Sequence, residues 1–128
     1  MILFDADVAI EILRRRPSAV EWFGSLPRYE VLAVLGYVAM ELAAGCQSIA
    51  QLSDLQRWLS WFRIRWLPQN QAHQAMQDCF RVTLRNAIGV LDFLVARAAV
   101  SHGVPIQTFN VTHFRAVRGL RISVSYRR

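Results

Sequence analysis

Apolar and polar positions change period several times along the chain, and each change marks a strand or a helix. The chain starts with the unbroken apolar run Ile2-Leu3-Phe4, which ends on Asp5. A short run of this kind suits a strand buried on both faces. Val8-Ala9-Ile10-Glu11-Ile12-Leu13 then reads as a helix ending in Arg14, Arg15 and Arg16, with Pro17 closing it. Ser18 is a candidate N-cap for a second helix through Val20, Trp22 and Phe23 to about Gly24. Residues 31–35 form a second apolar run of strand length, and residues 37–45 a short helix that stops at Gly45.

Ile49, Leu52, Leu55, Leu59 and Phe62 recur at three- and four-residue steps, which predicts a longer helix over 49–62. Trp58 and Trp61 widen its stripe beyond one core contact, leaving core packing or a partner surface as alternatives. Residues 63–67 read as a third strand, stopped by Pro68. A helix polar on one side covers 71–86, Gly89 breaks it, and a strongly apolar helix over 91–101 stops at Gly103. Residues 104–108 form a fourth strand, 110–114 a turn or short helical loop, and 120–125 a last, edge strand before a basic tail of Arg127 and Arg128. Strands alternating with helices predict an α/β fold, a three-layer α/β/α sandwich around a mainly parallel sheet. With no repeat and no linker, residues 1–128 read as a single domain.

No apolar run reaches the roughly 18–20 residues that cross a bilayer, and no basic region precedes the first run, so no membrane span or signal peptide is expected. Cys46 and Cys79 stand far apart in apolar helical segments and read as buried thiols of a cytoplasmic protein. The net charge is +6, and every basic residue is Arg. GC-rich coding accounts for part of that bias. The guanidinium fork also suits phosphate, so the balance favours a polyanionic partner.

The chain has nine carboxylates, few enough to weigh singly. Most fall on faces or turns where solvent is expected. Asp5 and Asp7 instead follow an apolar strand, and Glu41 and Asp92 stand among apolar neighbours. A carboxylate on a buried apolar face is destabilising unless something compensates it. Asp92 is close to a helix start, where the dipole helps; Glu41 is mid-helix. A divalent cation shared by several carboxylates would account for all of them, and hard oxygen donors suit Mg²⁺ or Mn²⁺. If the first and fourth strands are neighbours, Asp5 and Asn110 meet at one sheet edge.

Ile2-Leu3-Phe4-Asp5-Ala6-Asp7-Val8-Ala9-Ile10-Glu11, Met40-Glu41-Leu42, Leu91-Asp92-Phe93-Leu94-Val95-Ala96 and Thr108-Phe109-Asn110-Val111-Thr112-His113-Phe114, in that order, resemble the PIN-domain endoribonucleases, and among them the VapC-type toxins of toxin–antitoxin pairs. The resemblance implies acidic residues clustered at the carboxyl edge of a parallel sheet and metal-assisted hydrolysis of RNA phosphodiesters. Asp5, Glu41 and Asp92 match the family's acidic positions, and Asn110 stands near its fourth, more variable one. Asp5 and Asp92 would hold Mg²⁺, with Mn²⁺ as a substitute. Glu41 would complete the cage or orient water, and Asn110 would fix water or phosphate. Arg14, Arg15, Arg16 and Arg115 would position the RNA backbone, and His102 and His113 would be structural. A cognate antitoxin and a homodimer are the implied protein partners. The chain departs from the pattern at Ala6, where relatives carry Thr or Ser, at Asp7, often Asn or Ser, and at Arg97, where relatives have a small residue. Ala6 and Asn110 leave a second reading, a catalytically weak or inactive PIN-fold module that binds RNA or antitoxin. A phosphatase of the haloacid dehalogenase type also begins with a strand followed by Asp-x-Asp, but it needs a Lys, and this chain has none.

Overall fold

In the computed structural model, which describes residues 1–85 and 88–127, the elements run β1 (Ile2–Phe4), α1 (Ala6–Leu13), α2 (Pro17–Ser25), β2 (Leu32–Leu35), α3 (Gly36–Ala44), α4 (Ile49–Leu59), β3 (Arg63–Arg65), α5 (Gln69–Val82), α6 (Val90–His102), β4 (Ile106–Gln107), α7 (Val111–Phe114) and β5 (Ile122–Ser123). The strands form one parallel sheet in the order β3-β2-β1-β4-β5. The chain moves outward from β1 to β2 and β3, then returns across the sheet to β4. Right-handed crossovers in opposite directions place their helices on opposite faces. The sheet is thus flanked by helices, the α/β architecture that the alternating pattern predicts. The strand order reverses between β1 and β4, and their carboxyl ends open a crevice at that point.

The core explains which apolar runs became strands. Leu3, Phe4, Ala33, Val34, Leu35 and Ile106 are all essentially inaccessible, so the middle strands are buried on both faces. Burying each large side chain contributes about 1.5–3 kcal/mol. The Phe4 ring is a hub: its centroid is 5.2 Å from that of Phe62, 5.6 Å from Trp22 and 6.2 Å from Phe23. Trp58 joins the cluster at 4.4 Å from Phe62, whereas Trp61 is 76% exposed. The two tryptophans of the widened stripe therefore have different roles.

Several boundaries differ from the pattern. Pro17 opens α2 instead of closing α1, since proline at the first helical position sacrifices no hydrogen bond there. Arg16, not Ser18, is the cap residue, and it makes no side-chain cap bond. The turn between α1 and α2 is made by Arg15 at φ 56°, a left-handed conformation uncommon for a side chain of this size. The aromatic cluster continues past α4, whose last residue is Leu59, into a tight turn that brings Phe62 under the sheet. Pro68 precedes α5 as its cap residue, and residues 83–85 already form a turn; the expected helix end at Asn86 and the tail residue Arg128 lie outside the described residues. β5 is an edge strand as expected but only two residues long. Among the described residues no helix is long and apolar enough to cross a membrane.

Gly36 starts α3 directly under the Trp66 indole, which packs edge-on against Tyr37 with centroids 5.0 Å apart. A Cβ at position 36 would overlap the Trp66 ring. Gly36→Ala is expected to lower stability by about 1–3 kcal/mol, as overpacking does. Adding Trp66→Leu should recover most of that loss. Urea denaturation of the two variants checks it; additive losses would show that the indole is not the obstacle.

Candidate active site

The crevice between β1 and β4 is where the chain's unusual carboxylates arrive. Register pairs Phe4 with Gln107, so the next residues, Asp5 and Thr108, face each other just beyond the strand ends. The Asp5 N–H donates to the Gln107 carbonyl at 3.0 Å, which extends the ladder by one bond. Asp5 is 5% exposed and Thr108 is fully buried. Asp5 Oδ1 accepts from the Ala6 N–H at 2.8 Å, and Oδ2 accepts from the Thr108 hydroxyl at 2.9 Å. A hydroxyl absent from the side chain at Ala6 is therefore present from the opposite strand, and the backbone N–H of Ala6 serves Asp5 directly.

Thr108 Oγ1 also lies 3.2 Å from Asp7 Oδ2 and accepts the Asn110 N–H at 3.0 Å. One hydroxyl carries one proton, so it serves only one of the two carboxylates at a time. Asp7 has other partners: Oδ1 takes the Val8 N–H at 2.7 Å and Oδ2 the Phe109 N–H at 2.9 Å. These bonds tie the first turn of α1 to the segment after β4.

Asp92 enters from the first turn of α6 and is about a third exposed. It forms no cap bond, since the N-cap position belongs to Gly89. Its pKa is raised, first by burial; His113 opposes the rise and the charge of Asp7 adds to it. His113 Nδ1 is 4.0 Å from Asp92 Oδ2 and 2.9 Å from Asn110 Nδ2. Asn110 thus meets Asp5 only through Thr108, and its side chain turns to His113. His113, expected to be structural, stands in the site. His102 stays outside, bonded to the Trp66 carbonyl at 3.0 Å.

Burial is also the main reason that Asp5 rises, from 3.8 to about 7. The charge of Asp7 raises it further, the Ala6 and Thr108 hydrogen bonds oppose this, and Asp92 adds to the rise. Asp5, Asp7 and Asp92 are thus one electrostatic cluster. Among the described residues none of the three has an Arg ion pair, although Arg supplies all the basic side chains of the chain.

Glu41 departs from its expectation. It is exposed on α3, so water solvates it and no buried charge needs explaining. With Arg14 it lines a cavity of about 460 Å³ between α1, α3 and α4, floored by Ile10, Leu13, Leu42 and Leu55. Arg14, Arg15 and Arg16 follow the far end of α1, roughly 12 Å along an eight-residue helix from Asp5. Among the described residues no group of three or more His, Cys, Asp or Glu side chains is arranged to hold a metal ion. The donor set still fits Mg²⁺ through Asp5 and Asp92: both offer hard oxygens, neither is neutralised by Arg, and Mg²⁺ commonly binds through one or two carboxylates and keeps its remaining waters.

No family model matches the chain. Ribonuclease VapC10 of Mycobacterium tuberculosis, in strains CDC 1551 / Oshkosh and ATCC 25618 / H37Rv, is 34% identical to it over 116 residues, 89% of this chain and 86% of that protein. The chain belongs to the VapC ribonuclease family. Among solved structures, VapBC2 from Rickettsia felis bound to a promoter DNA fragment has the same fold, with a TM-score of 0.84 at 18% identity over 97% of this chain and 98% of that one. VapBC-1 from nontypeable Haemophilus influenzae gives 0.81 at 19% identity over 98% of both chains. Of the residues that the sequence singles out in this VapC-family chain, Asp5 and Asp92 are electrostatically coupled, Asn110 reaches them through Thr108 and His113, and Glu41 is exposed on α3. Thr108 and His113 complete the arrangement. Thr108 could have been found as the polar residue that ends the fourth strand opposite Asp5.

The raised Asp5 pKa has a definite consequence for the metal-free protein. A carboxyl that holds its proton more tightly when folded stabilises the fold fully below the ordinary value of 3.8, and that stability is lost as pH rises through about 7. In EDTA, thermal midpoints are expected to fall between about pH 4 and pH 7, and Asp5→Asn should flatten the decline. A wild-type profile as flat as the variant's would contradict the buried, coupled carboxyl.

Proposed function

We propose that this chain is an endoribonuclease toxin of a toxin–antitoxin pair, acting in the cytoplasm with Mg²⁺ at Asp5 and Asp92. The observation that carries this reading is the uncompensated carboxylate cluster at the β1–β4 switch point of a VapC-family chain. Bound Mg²⁺, or Mn²⁺ in its place, would supply positive charge for the phosphate oxygens and lower the pKa of water. The protein's part is to hold the donors. Thr108 and the Ala6 N–H fix both oxygens of Asp5, while Asp7 locks α1 to the β4 exit. Asn110 and His113 flank Asp92, where an amide and an imidazole can orient the phosphate or its water. Glu41, exposed on α3, acts as an outer carboxylate that orients water. Water attacks phosphorus, the bond to the 3′ oxygen breaks and that oxygen takes a proton, leaving 5′-phosphate and 3′-hydroxyl ends.

Two surfaces support the protein partners of this reading. The apolar floor and polar rim of the cavity beside Glu41 suit an amphipathic antitoxin segment. Along α5 and the turn after it, Met76, Phe80 and Leu84 recur at four-residue steps; Phe80 is 68% and Leu84 97% exposed. We assign this stripe to a homodimer, since a second copy would bury it twice about a two-fold axis.

RNA incubated with wild type is expected to be cut with Mg²⁺ and left intact in EDTA. Asp5→Ala and Asp92→Ala should abolish cutting, by at least about 100-fold, and Mg²⁺ should raise the thermal midpoint of wild type only. Expression alone should arrest growth, and co-expression of the cognate antitoxin should relieve it. Cutting that survives both substitutions, or that ignores EDTA, defeats the reading. For the dimer, light scattering should give twice the chain mass for wild type and a folded monomer for Phe80→Arg. A monomeric wild type removes that surface assignment.

A further inference from the structure

A second concentration of charge, apart from the carboxylates, has the opposite sign. Between α5, α6 and the segment after α7 is a cavity of about 490 Å³ lined by Arg81, Arg85, Arg97 and Arg118. Asp78 is the single carboxylate in its lining. Its Oδ1 is 2.8 Å from Arg81 Nη2 and its Oδ2 is 3.7 Å from Arg97 Nη2. One carboxylate therefore holds two of the guanidiniums in place without neutralising four. Arg97 is mostly buried, and its Nε has no hydrogen-bond partner among the described residues. Such a donor is unfavourable until an acceptor meets it. The cavity shares α6 with the active site but opens on another side of it: Arg97 lies five residues from Asp92, roughly 7.5 Å along the helix axis and about 140° around it.

We propose that this arginine-lined cavity binds a backbone phosphate of the RNA strand, away from the phosphate that is cut. The proposal rests on the ribonuclease reading above for the identity of the polyanion, and on the cavity alone for its chemistry. Guanidinium forks grip phosphate oxygens bidentately and do not read bases, so the subsite positions the strand without selecting its sequence. An acidic peptide offers the same sign of charge. RNA is favoured because the chain belongs to a ribonuclease family and RNA carries a charge at every nucleotide.

The test is fluorescence anisotropy of the full chain with a short labelled single-stranded RNA, in EDTA and over a range of NaCl concentrations. Labelled poly-glutamate serves as a carboxylate polyanion. Arg97→Gln and Arg118→Gln are each expected to weaken RNA binding several-fold. Each should also reduce the slope of log affinity against log salt by about 0.7, one phosphate contact to a single strand. Arg97→Lys should keep most of the slope and still lose affinity, because it keeps the charge and loses the fork. Poly-glutamate binding should change little. Unchanged RNA affinity and slope in both Gln variants overturns the proposal, as does an equal loss for RNA and poly-glutamate. Arg118 is exposed, so Arg118→Gln decides the matter if Arg97→Gln does not fold. Wild-type cleavage with Mg²⁺ is scored separately. Cleavage with unchanged binding in the variants removes the phosphate site alone, whereas Arg-dependent binding without cleavage removes the nuclease reading and leaves the site standing.

Discussion

The hydroxyl of Thr108 is the contact on which the site depends. It sits between two carboxylates from the β1–α1 junction and accepts an N–H from its own chain two residues on. Strands β1 and β4 are separated by most of the sequence, and their pairing extends over only two residue pairs. Backbone pairing that short specifies register weakly. The Thr108–Asp5 bond, with the Phe109 N–H on Asp7, fixes register because a slip of one residue would turn Thr108 away and leave buried Asp5 without it. The same few bonds that align the sheet therefore align the chemistry.

That alignment creates an electrostatic problem which the rest of the molecule does not solve. The charge of Asp7 raises both Asp5 and Asp92, yet the arginines are deployed elsewhere: at the end of α1, along α5 and on α6 facing Asp78. Had a single guanidinium been turned toward Asp5, the acid would have been stabilised and a cation would have met competition. The separation of positive surface from negative crevice suits a polyanionic strand, which is drawn to the surface and repelled from the crevice unless a cation stands there. On the proposed reading, capture and cutting fall to different charges.

Much of this was legible in the sequence because it depends on local pattern. Ile2-Leu3-Phe4 before Asp5, the apolar run before Gly36 and the alternation of short runs with helices pointed to the parallel sheet, whereas its strand order, including the pairing of the first and fourth strands, came from the structure. The burial of Glu41, though not its role, was misjudged for an identifiable reason. Apolar neighbours in sequence do not imply apolar neighbours in space on a helix, where successive residues point about 100° apart, and Glu41 falls on the outward side. Thr108 and His113 were missed because their importance is non-local: one is defined by the residue across the sheet and the other by the helix that brings Asp92. Pro17 punctuated the chain where expected, but it opened a helix instead of ending one, since the same residue suits both positions.

The placement of Asp5 also bears on how the protein is stabilised. As the residue before α1 its Oδ1 accepts the Ala6 N–H, so the helix start gains from a negative charge there. Burial pulls the other way and favours the neutral acid. Burial outweighs the helix start, so the metal-free carboxyl holds its proton up to about pH 7. Anything that binds the charged form shifts this balance and, by mass action, stabilises the fold as it completes the site. A site that had already neutralised its own carboxylates would gain little from a cation. Here the unsatisfied charge is what couples the integrity of the β1–β4 junction to occupation of the crevice.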